Sequence, residues 1–495
     1  MHSSSLRSPS RTANIHNRPC NKIPVQKKYL YKKNIFIKTF GCQMNEYDSE
    51  KILTLLQNDY CCVSDYKLAD LIIVNTCSVR EKAEKKLYDF LGRLAKLKKA
   101  GHRFIIGVAG CVAQQEGEKI LKRCRAVNFV VGTHNISLIP TLVREAENNA
   151  KPCAVVNHRN GWESEVPDEM CRTPLGSYID FSNTITINHA FGNYYSLVRA
   201  LIAIQRGCNK HCSYCVVPTT RGVEISRSPN EIIKEIQFKV HNGASEVMLL
   251  GQTVNSYGKD LSPKISFEDL VRQIAEIEHI SRIRFMSPHP QDVTKDFIKL
   301  YKEIPQLCPS IHLPLQSGNN RILKLMNRNY KVERYLEIVE MLREARSDIA
   351  ITSDFIVAFP TETEDEFEQT LDIMKQVKYC FSFSFKYSHR PNTTAKTNFF
   401  GSADEVNNAV ASNRLSRLQE LQKELSLAYN SQFVGKSTSV LLEVVNLQTN
   451  TLRGRNPYGL LVEAVGDSTM ANLKQGSEVD VLVEGYSPVI LKGSV

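Results

Sequence analysis

The chain contains no run of 18 apolar residues and no n-, h- and c-region pattern of a secretory signal, which argues against a spanning helix and an exported destination. Cysteine is sparse, 14 in 495 residues, too dilute for a disulfide-stapled scaffold. No internal repeat is evident. Acidic residues are missing from the first 45 positions, which hold nine Lys or Arg. The net charge is +11, so this leader leaves about +2 for everything else, and the basic balance is no general case for RNA binding. The leader, residues 1–33, is rich in Ser and Asn and has no helical apolar face. It reads as a disordered basic tail, with an organelle transit peptide as the alternative. A reduced, cytoplasmic setting without membrane attachment is expected.

The length predicts two to four domains. From residue 34 the texture alternates: NIFIKTF, a helix from Asn45, DLIIVNT, a helix over 79–100, RFIIGVA and NFVVG. That order implies a small parallel α/β domain over 34–148. Residues 149–193 gather Pro, Gly, Asn and Asp and read as a linker. Over 194–430 six strand–helix units begin at SLVRALIAIQ, SEVMLLG, RIRFMS, SIHLPLQ, AITSDFIVAF and FSFSFKYS. They predict a partial TIM-like (β/α)6 barrel with reactive groups beyond the carboxyl ends of its strands. Residues 432–495 turn to short strands and predict a small antiparallel β-barrel.

Three N-terminal cysteines occupy equivalent positions. Cys42 follows IFIKTFG, Cys77 follows LIIVNT and Cys111 follows FIIGVAG. In a parallel sheet these strand ends lie along one edge, so residues 34 or 35 apart would meet there. Burial as small apolar residues is the alternative, and it is the reading given to Cys61, Cys62, Cys124, Cys153, Cys171, Cys308 and Cys380. Zinc would need a fourth ligand such as His134, or water. A second trio, Cys208, Cys212 and Cys215, sits in RGCNKHCSYCVVPTTRG after the first barrel strand. This spacing can hold three irons of a [4Fe-4S] cube and leave the fourth open. A zinc site completed by His211 is the alternative, although His211 adjoins Cys212 and would have to fold back.

On these motifs the chain resembles the radical S-adenosylmethionine superfamily. With FGCQMNEYDSEK, NTCSVREKAEKK, AGCVAQQEG, LLGQTVNSYG, HLPLQSG and SDFIVAFP it is similar to the methylthiotransferases from about residue 34 to the last. QMN after Cys42 and SVREKAE after Cys77 resemble the tRNA branch that matures isopentenyl-adenosine beside the anticodon. The resemblance implies two [4Fe-4S] clusters and S-adenosylmethionine. One cluster, on Cys42, Cys77 and Cys111, would hold the sulfur; the other, on Cys208, Cys212 and Cys215, would chelate S-adenosylmethionine and yield the radical. It also implies a C-terminal TRAM domain, tRNA as partner, an electron donor such as flavodoxin or ferredoxin, and iron–sulfur carrier proteins. Glycines usual in the family are replaced by Ala358, Thr361 and Asn392.

Further candidates follow from position. Gln252, Asn255, Gln316, Ser317, Asp354 and Arg390 fall at or beyond barrel strands and are expected near the cofactor, with helix caps or loop polarity as the alternative. Between 432 and 495 there are five basic and six acidic residues, so RNA contact there would rest on local groups such as Arg453 and Arg455. The 79–100 helix, with Arg80, Lys85 and Lys86 among eight basic residues, is the stronger electrostatic candidate. Competing readings are the methylthiotransferases for threonylcarbamoyl-adenosine or for a ribosomal-protein aspartate, and a non-catalytic zinc-bearing RNA-binding protein.

Overall fold

Aliphatic runs flanked by helical periods build the first sheet. The computed structural model describes residues 32–78, 81–158, 198–466 and 472–495. Arg80, Cys171, most of the leader and most of the expected linker lie outside them. Strands β1 (Lys33–Phe40), β2 (Tyr60–Cys62), β3 (Leu71–Thr76), β4 (Ile105–Gly110), β5 (Phe129–Val131) and β6 (Cys153–Val155) are ordered β2-β1-β3-β4-β5-β6. Every neighbouring pair is parallel. All six residues of β3 are buried, as expected of a central strand covered on both faces. Helix α1 (Gln43–Leu56) lays Ile52 and Leu56 on one face. Helix α2 (Glu81–Lys99) lays Leu87, Phe90, Leu91 and Leu94 on the other. The edge strands β2 and β6 are three residues each, too short for a period to register, and β6 lies in the stretch expected to be linker.

The second unit has six parallel strands: β7 (Arg199–Ala203), then, after the short β8 (Gln205–Arg206) and β9 (Ile225–Ser226), β10 (Glu246–Leu250), β11 (Arg282–Phe285), β12 (Ser310–His312), β13 (Ala350–Val357) and β14 (Phe381–Lys386). They form the triplets β11-β10-β7 and β12-β13-β14, joined by a parallel bridge between Ile283 and Leu307. Alternation sends Ile202, Val247, Leu249, Ile283, Phe355 and Val357 outward into one helix-covered core. Leu201, Ala203, Met248 and Leu250 turn inward, where Met44 and Tyr47 of α1 pack on them. The N-terminal domain thus seals the open barrel beside β7.

Strands β15 (Ser437–Asn446), β16 (Thr451–Arg455), β17 (Leu461–Val465), β18 (Glu478–Tyr486) and β19 (Ile490–Ser494) close into a barrel in the order β15-β16-β17-β19-β18. It departs from the expected antiparallel barrel at one pair, β17 and β19, which run parallel. It docks against the amino ends of the central strands. Arg282, first in β11, donates to Glu478 and to the Arg455 carbonyl at 2.6 Å; Arg284 donates to the Asn456 carbonyl at 2.8 Å. Tyr458 donates to Asp348 at 2.8 Å. Lys33–Val495 form one compact unit. Among the described residues no helix is long and apolar enough to cross a membrane.

Candidate active site

The loop carrying Cys208, Cys212 and Cys215 is closed at its base by the antiparallel β8–β9 ladder, Gln205 opposite Ser226 and Arg206 opposite Ile225. The Cys208 amide donates to the Gly222 carbonyl at 3.1 Å. Gly207 has φ +76°, and a Cβ there would strike the Val223 carbonyl, so this crossing requires glycine. Neighbouring barrel loops hold the thiols. Cys208 Sγ lies 3.3 Å from Thr253 Oγ1, and buried Arg328 donates from Nη1 to Cys212 Sγ at 3.7 Å. Ser213 is anchored through its amide to the Met326 carbonyl at 2.9 Å. Burial pushes the Cys215 thiol up to about 12, with the negative charge of Cys212 adding to it. His211 is exposed rather than folded back. A cavity beside the loop is lined by Asn209, Lys210, His211, His289, Gln291 and Asn327.

The strand-end cysteines come together as their positions predict. Cys42 caps α1, Cys77 follows β3, and Cys111 opens helix α3 (Cys111–Glu116). Cys77 lies between the other two thiols: hydrogen bonding with it holds Cys42 down at about 7 against burial and Cys111 at about 6, while Cys77 itself is pushed up. The three meet in pairs through Cys77: among the described residues, no three His, Cys, Asp or Glu groups are disposed around a single-ion position. Two glycines permit the approach. A Cβ at Gly41 would lie 2.8 Å from Cys77 Cβ, and one at Gly110 would strike Asn75 Oδ1 and the Thr76 carbonyl. Behind the thiols, fully buried Asn75 donates to the Asn45 carbonyl at 2.8 Å and to Ser49 Oγ at 2.9 Å, and accepts from Asn45 Nδ2 at 3.0 Å. His134 does not join them; its Nε2 meets the Arg221 carbonyl at 3.0 Å.

Arg221, in the stretch after Cys215, links the two trios. Its Nη2 donates to Asp48 Oδ2 at 2.7 Å and its Nε to Cys111 Sγ at 3.3 Å, and all three residues are buried. Arg221, Asp48, Thr253 and Arg328 escaped the sequence reading because their roles depend on docking between segments far apart in the chain. The PTTRG that follows Cys215 was the one available signal.

The other candidates separate. Gln252 Oε1 is buried without a hydrogen-bond partner beside the Cys208–Thr253 contact. Asn255 is spent on backbone, donating to the His289 carbonyl at 3.0 Å and accepting its amide at 2.8 Å. Gln316, at φ +78°, donates its amide to the Asp354 carbonyl at 2.9 Å. Ser317 accepts from the Asn319 amide at 3.3 Å, a local turn. Asp354 faces His312 Nε2 at 3.4 Å inside the barrel. Arg390 accepts from Thr393 Oγ1 at its carbonyl, and its loop holds Asn392 at φ +58°. Arg455 is engaged, pairing with Glu443 at 3.2 Å and donating to the Gly459 carbonyl, whereas Arg453 is half exposed. Lys85 and Lys86 are exposed on α2.

Three thiols gathered twice with no fourth protein ligand among the described residues are a donor set suited to iron–sulfur clusters. Residues 202–374 match the Radical SAM superfamily and residues 34–132 the uncharacterized protein family UPF0004. Among solved structures the fold is similar to TsrM from Kitasatospora setae, a radical S-adenosylmethionine methyltransferase with cobalamin and a [4Fe-4S] cluster bound (TM-score 0.52, 13% identity, 74% of each chain). It is also similar to OxsB, a cobalamin-dependent S-adenosylmethionine radical enzyme (TM-score 0.51, 12% identity, 80% of this chain and 56% of that one). Fold and site therefore define a radical S-adenosylmethionine enzyme. A tRNA-2-methylthio-N(6)-dimethylallyladenosine synthase from Geobacter metallireducens is 43% identical over 461 residues, 93% of this chain and 98% of that protein. One from Desulfotalea psychrophila is 39% identical over 475 residues. The chain belongs to this tRNA methylthiotransferase family.

Proposed function

We propose that the chain carries two [4Fe-4S] clusters, one on Cys42, Cys77 and Cys111 and one on Cys208, Cys212 and Cys215, and transfers a methylthio group to C2 of N(6)-isopentenyladenosine beside the tRNA anticodon. The observation that carries this reading is the pair of three-thiol sites at strand ends, in a chain that matches the tRNA methylthiotransferases over nearly its full length. When bound, the cluster with S-adenosylmethionine supplies a carbon radical, which an aromatic C–H requires because no His or Glu base can remove its proton. Thr253 and Arg328 orient Cys208 and Cys212, and the stretch from Cys208 to Arg221 spans from one thiol site to the other. A single-electron donor such as flavodoxin or ferredoxin, iron–sulfur carriers and a reduced cytoplasm suit such centres.

The barrel interior favours the prenylated base over the threonylcarbamoyl one. Thr352, Asp354 and Ile356 pair in register with Phe381, Phe383 and Phe385, and these six share the inward face. Phe383 and Phe385 remain 40% and 37% exposed, and Phe383 meets the His312 ring edge-on. An isopentenyl group finds aromatic surface on those strands, whereas a carboxylate meets the like charge of Asp354.

The test assigns a different failure to each trio. Cys212→Ala should abolish 5′-deoxyadenosine formation. Cys77→Ala should retain it while methylthiolated tRNA disappears. Each variant must hold about half of the roughly eight irons expected for two clusters. Normal methylthiolation by Cys77→Ala, or 5′-deoxyadenosine from Cys212→Ala, would sink the assignment.

A further inference from the structure

Arg221 is buried to 6% exposure and ends the short helix Val217–Arg221 that follows Cys215, yet its side chain is bound into the N-terminal domain. Its guanidinium fork is split: Nη2 takes Asp48 at 2.7 Å and Nε takes Cys111 Sγ at 3.3 Å. The same turn is gripped on its backbone side, Thr133 Oγ1 donating to the Thr220 carbonyl at 2.7 Å and His134 Nε2 meeting the Arg221 carbonyl at 3.0 Å. These contacts fix the guanidinium against the sulfur from two directions.

Resting on the two-cluster reading, we propose that Arg221 is a positioning residue for the sulfur-donating site: it hydrogen-bonds the Cys111 sulfur, raises the reduction potential of the cluster held there, and keeps that cluster in register with the cysteine loop of the barrel. Hydrogen bonds to cluster sulfurs and nearby positive charge favour the reduced, more negative state. Asp48 cancels part of the charge at long range but leaves the Nε–H directed at Cys111. Removing Arg221 would take away the donor and its positive charge while leaving the Asp48 carboxylate near Cys111. Both effects act in the same direction.

The experiment uses the full chain with Cys208, Cys212 and Cys215 all changed to Ala, reconstituted anaerobically so that only the N-terminal cluster forms, and reads its midpoint potential by mediated redox titration with electron paramagnetic resonance. Arg221→Gln should keep about four irons per chain and shift the potential downward. Arg221→Lys, which keeps the charge but lacks the fork, should fall between that value and the parent's, and decides the matter if the Gln variant loses iron. Thr133→Val removes the neighbouring cross-domain hydrogen bond without touching a sulfur and should leave the potential unmoved. A parental potential in the iron-loaded Gln variant, a parental potential in the Lys variant, or an equal shift in Thr133→Val would overturn the assignment. A parent that binds no iron would overturn the two-cluster reading and this inference with it.

Discussion

At the scale of single residues, the thiol sites depend on polar groups that touch no substrate. Asn75 satisfies Asn45 and Ser49 in a fully buried pocket, so Asn75→Ala leaves several groups unpaired at ~1–3 kcal/mol each. Its urea midpoint should fall, and iron loading at Cys42, Cys77 and Cys111 with it. The three departures from family glycines each have left-handed backbone: Ala358 at φ +57°, Thr361 at +70° and Asn392 at +58°. Such a conformation costs a non-glycine residue about 1–2 kcal/mol. Glycine's extra unfolded-state entropy offsets part of that. Ala358→Gly should accordingly stabilise by up to about 1 kcal/mol in thermal or urea unfolding. Thr361→Gly should be close to neutral, since Thr361 Oγ1 also accepts from Arg321 Nη1 at 3.0 Å and that bond would be lost.

At the scale of elements, the C-terminal barrel is a fixture of the central one. Arg282 and Arg284 are buried in β11 and donate to Glu478 and to the carbonyls of Arg455 and Asn456, while buried Glu246, first in β10, pairs with Arg284 and Arg199. Deleting residues 432–495 should lower the melting temperature of the remainder as well as weaken tRNA binding. Point variants separate the two effects. Arg453→Ala should change tRNA affinity with stability within about 0.5 kcal/mol, while Arg455→Ala, losing Glu443, should destabilise by roughly 1–2 kcal/mol. The network also sets an acid limit. Burial alone would push Glu246 up, but Arg284 and Arg199 overcome it and hold the carboxyl at about 2, below its ordinary 4.5. The folded value lies under the unfolded one, so this stabilisation is complete above 4.5 and fades as pH falls toward 2. Urea midpoints taken on both sides of 4.5 should show a shallower acid loss in Glu246→Gln than in the parent.

For the whole molecule, the exposed basic residues of α2 are the proposed tRNA contact, rather than the net charge. Lys85, Lys86, Arg93, Lys96 and Lys99 are exposed on α2, whereas Lys98 is turned inward to the Ala126 carbonyl at 2.9 Å and Asn128 at 2.8 Å. Converting Lys85 and Lys86 to Glu should weaken tRNA binding and reduce the slope of log affinity against log salt by about 1–2. An unchanged slope would move the footprint to the C-terminal barrel.

The order of elements alone determined that Cys42, Cys77 and Cys111 would converge, because a parallel sheet brings the residues after β1, β3 and β4 to one edge whatever the side chains do. It likewise determined the six-unit barrel and the Cys208–Cys215 loop at its mouth, both being local patterns. Tertiary structure decided the rest. Arg221 lies 173 residues from Asp48 and 110 from Cys111, and no period in the chain encodes that meeting. Asn255 has the right type and place for a cofactor ligand, but a backbone segment 34 residues on takes both ends of its amide. Arg455 looks like an RNA contact in sequence and is instead the ion-pair partner of Glu443 on the neighbouring strand β15, a pairing set by strand register. Hydrophobic periodicity records which face of an element is buried; which partner covers that face, and which polar groups are consumed there, depends on contacts that form only when domains pack.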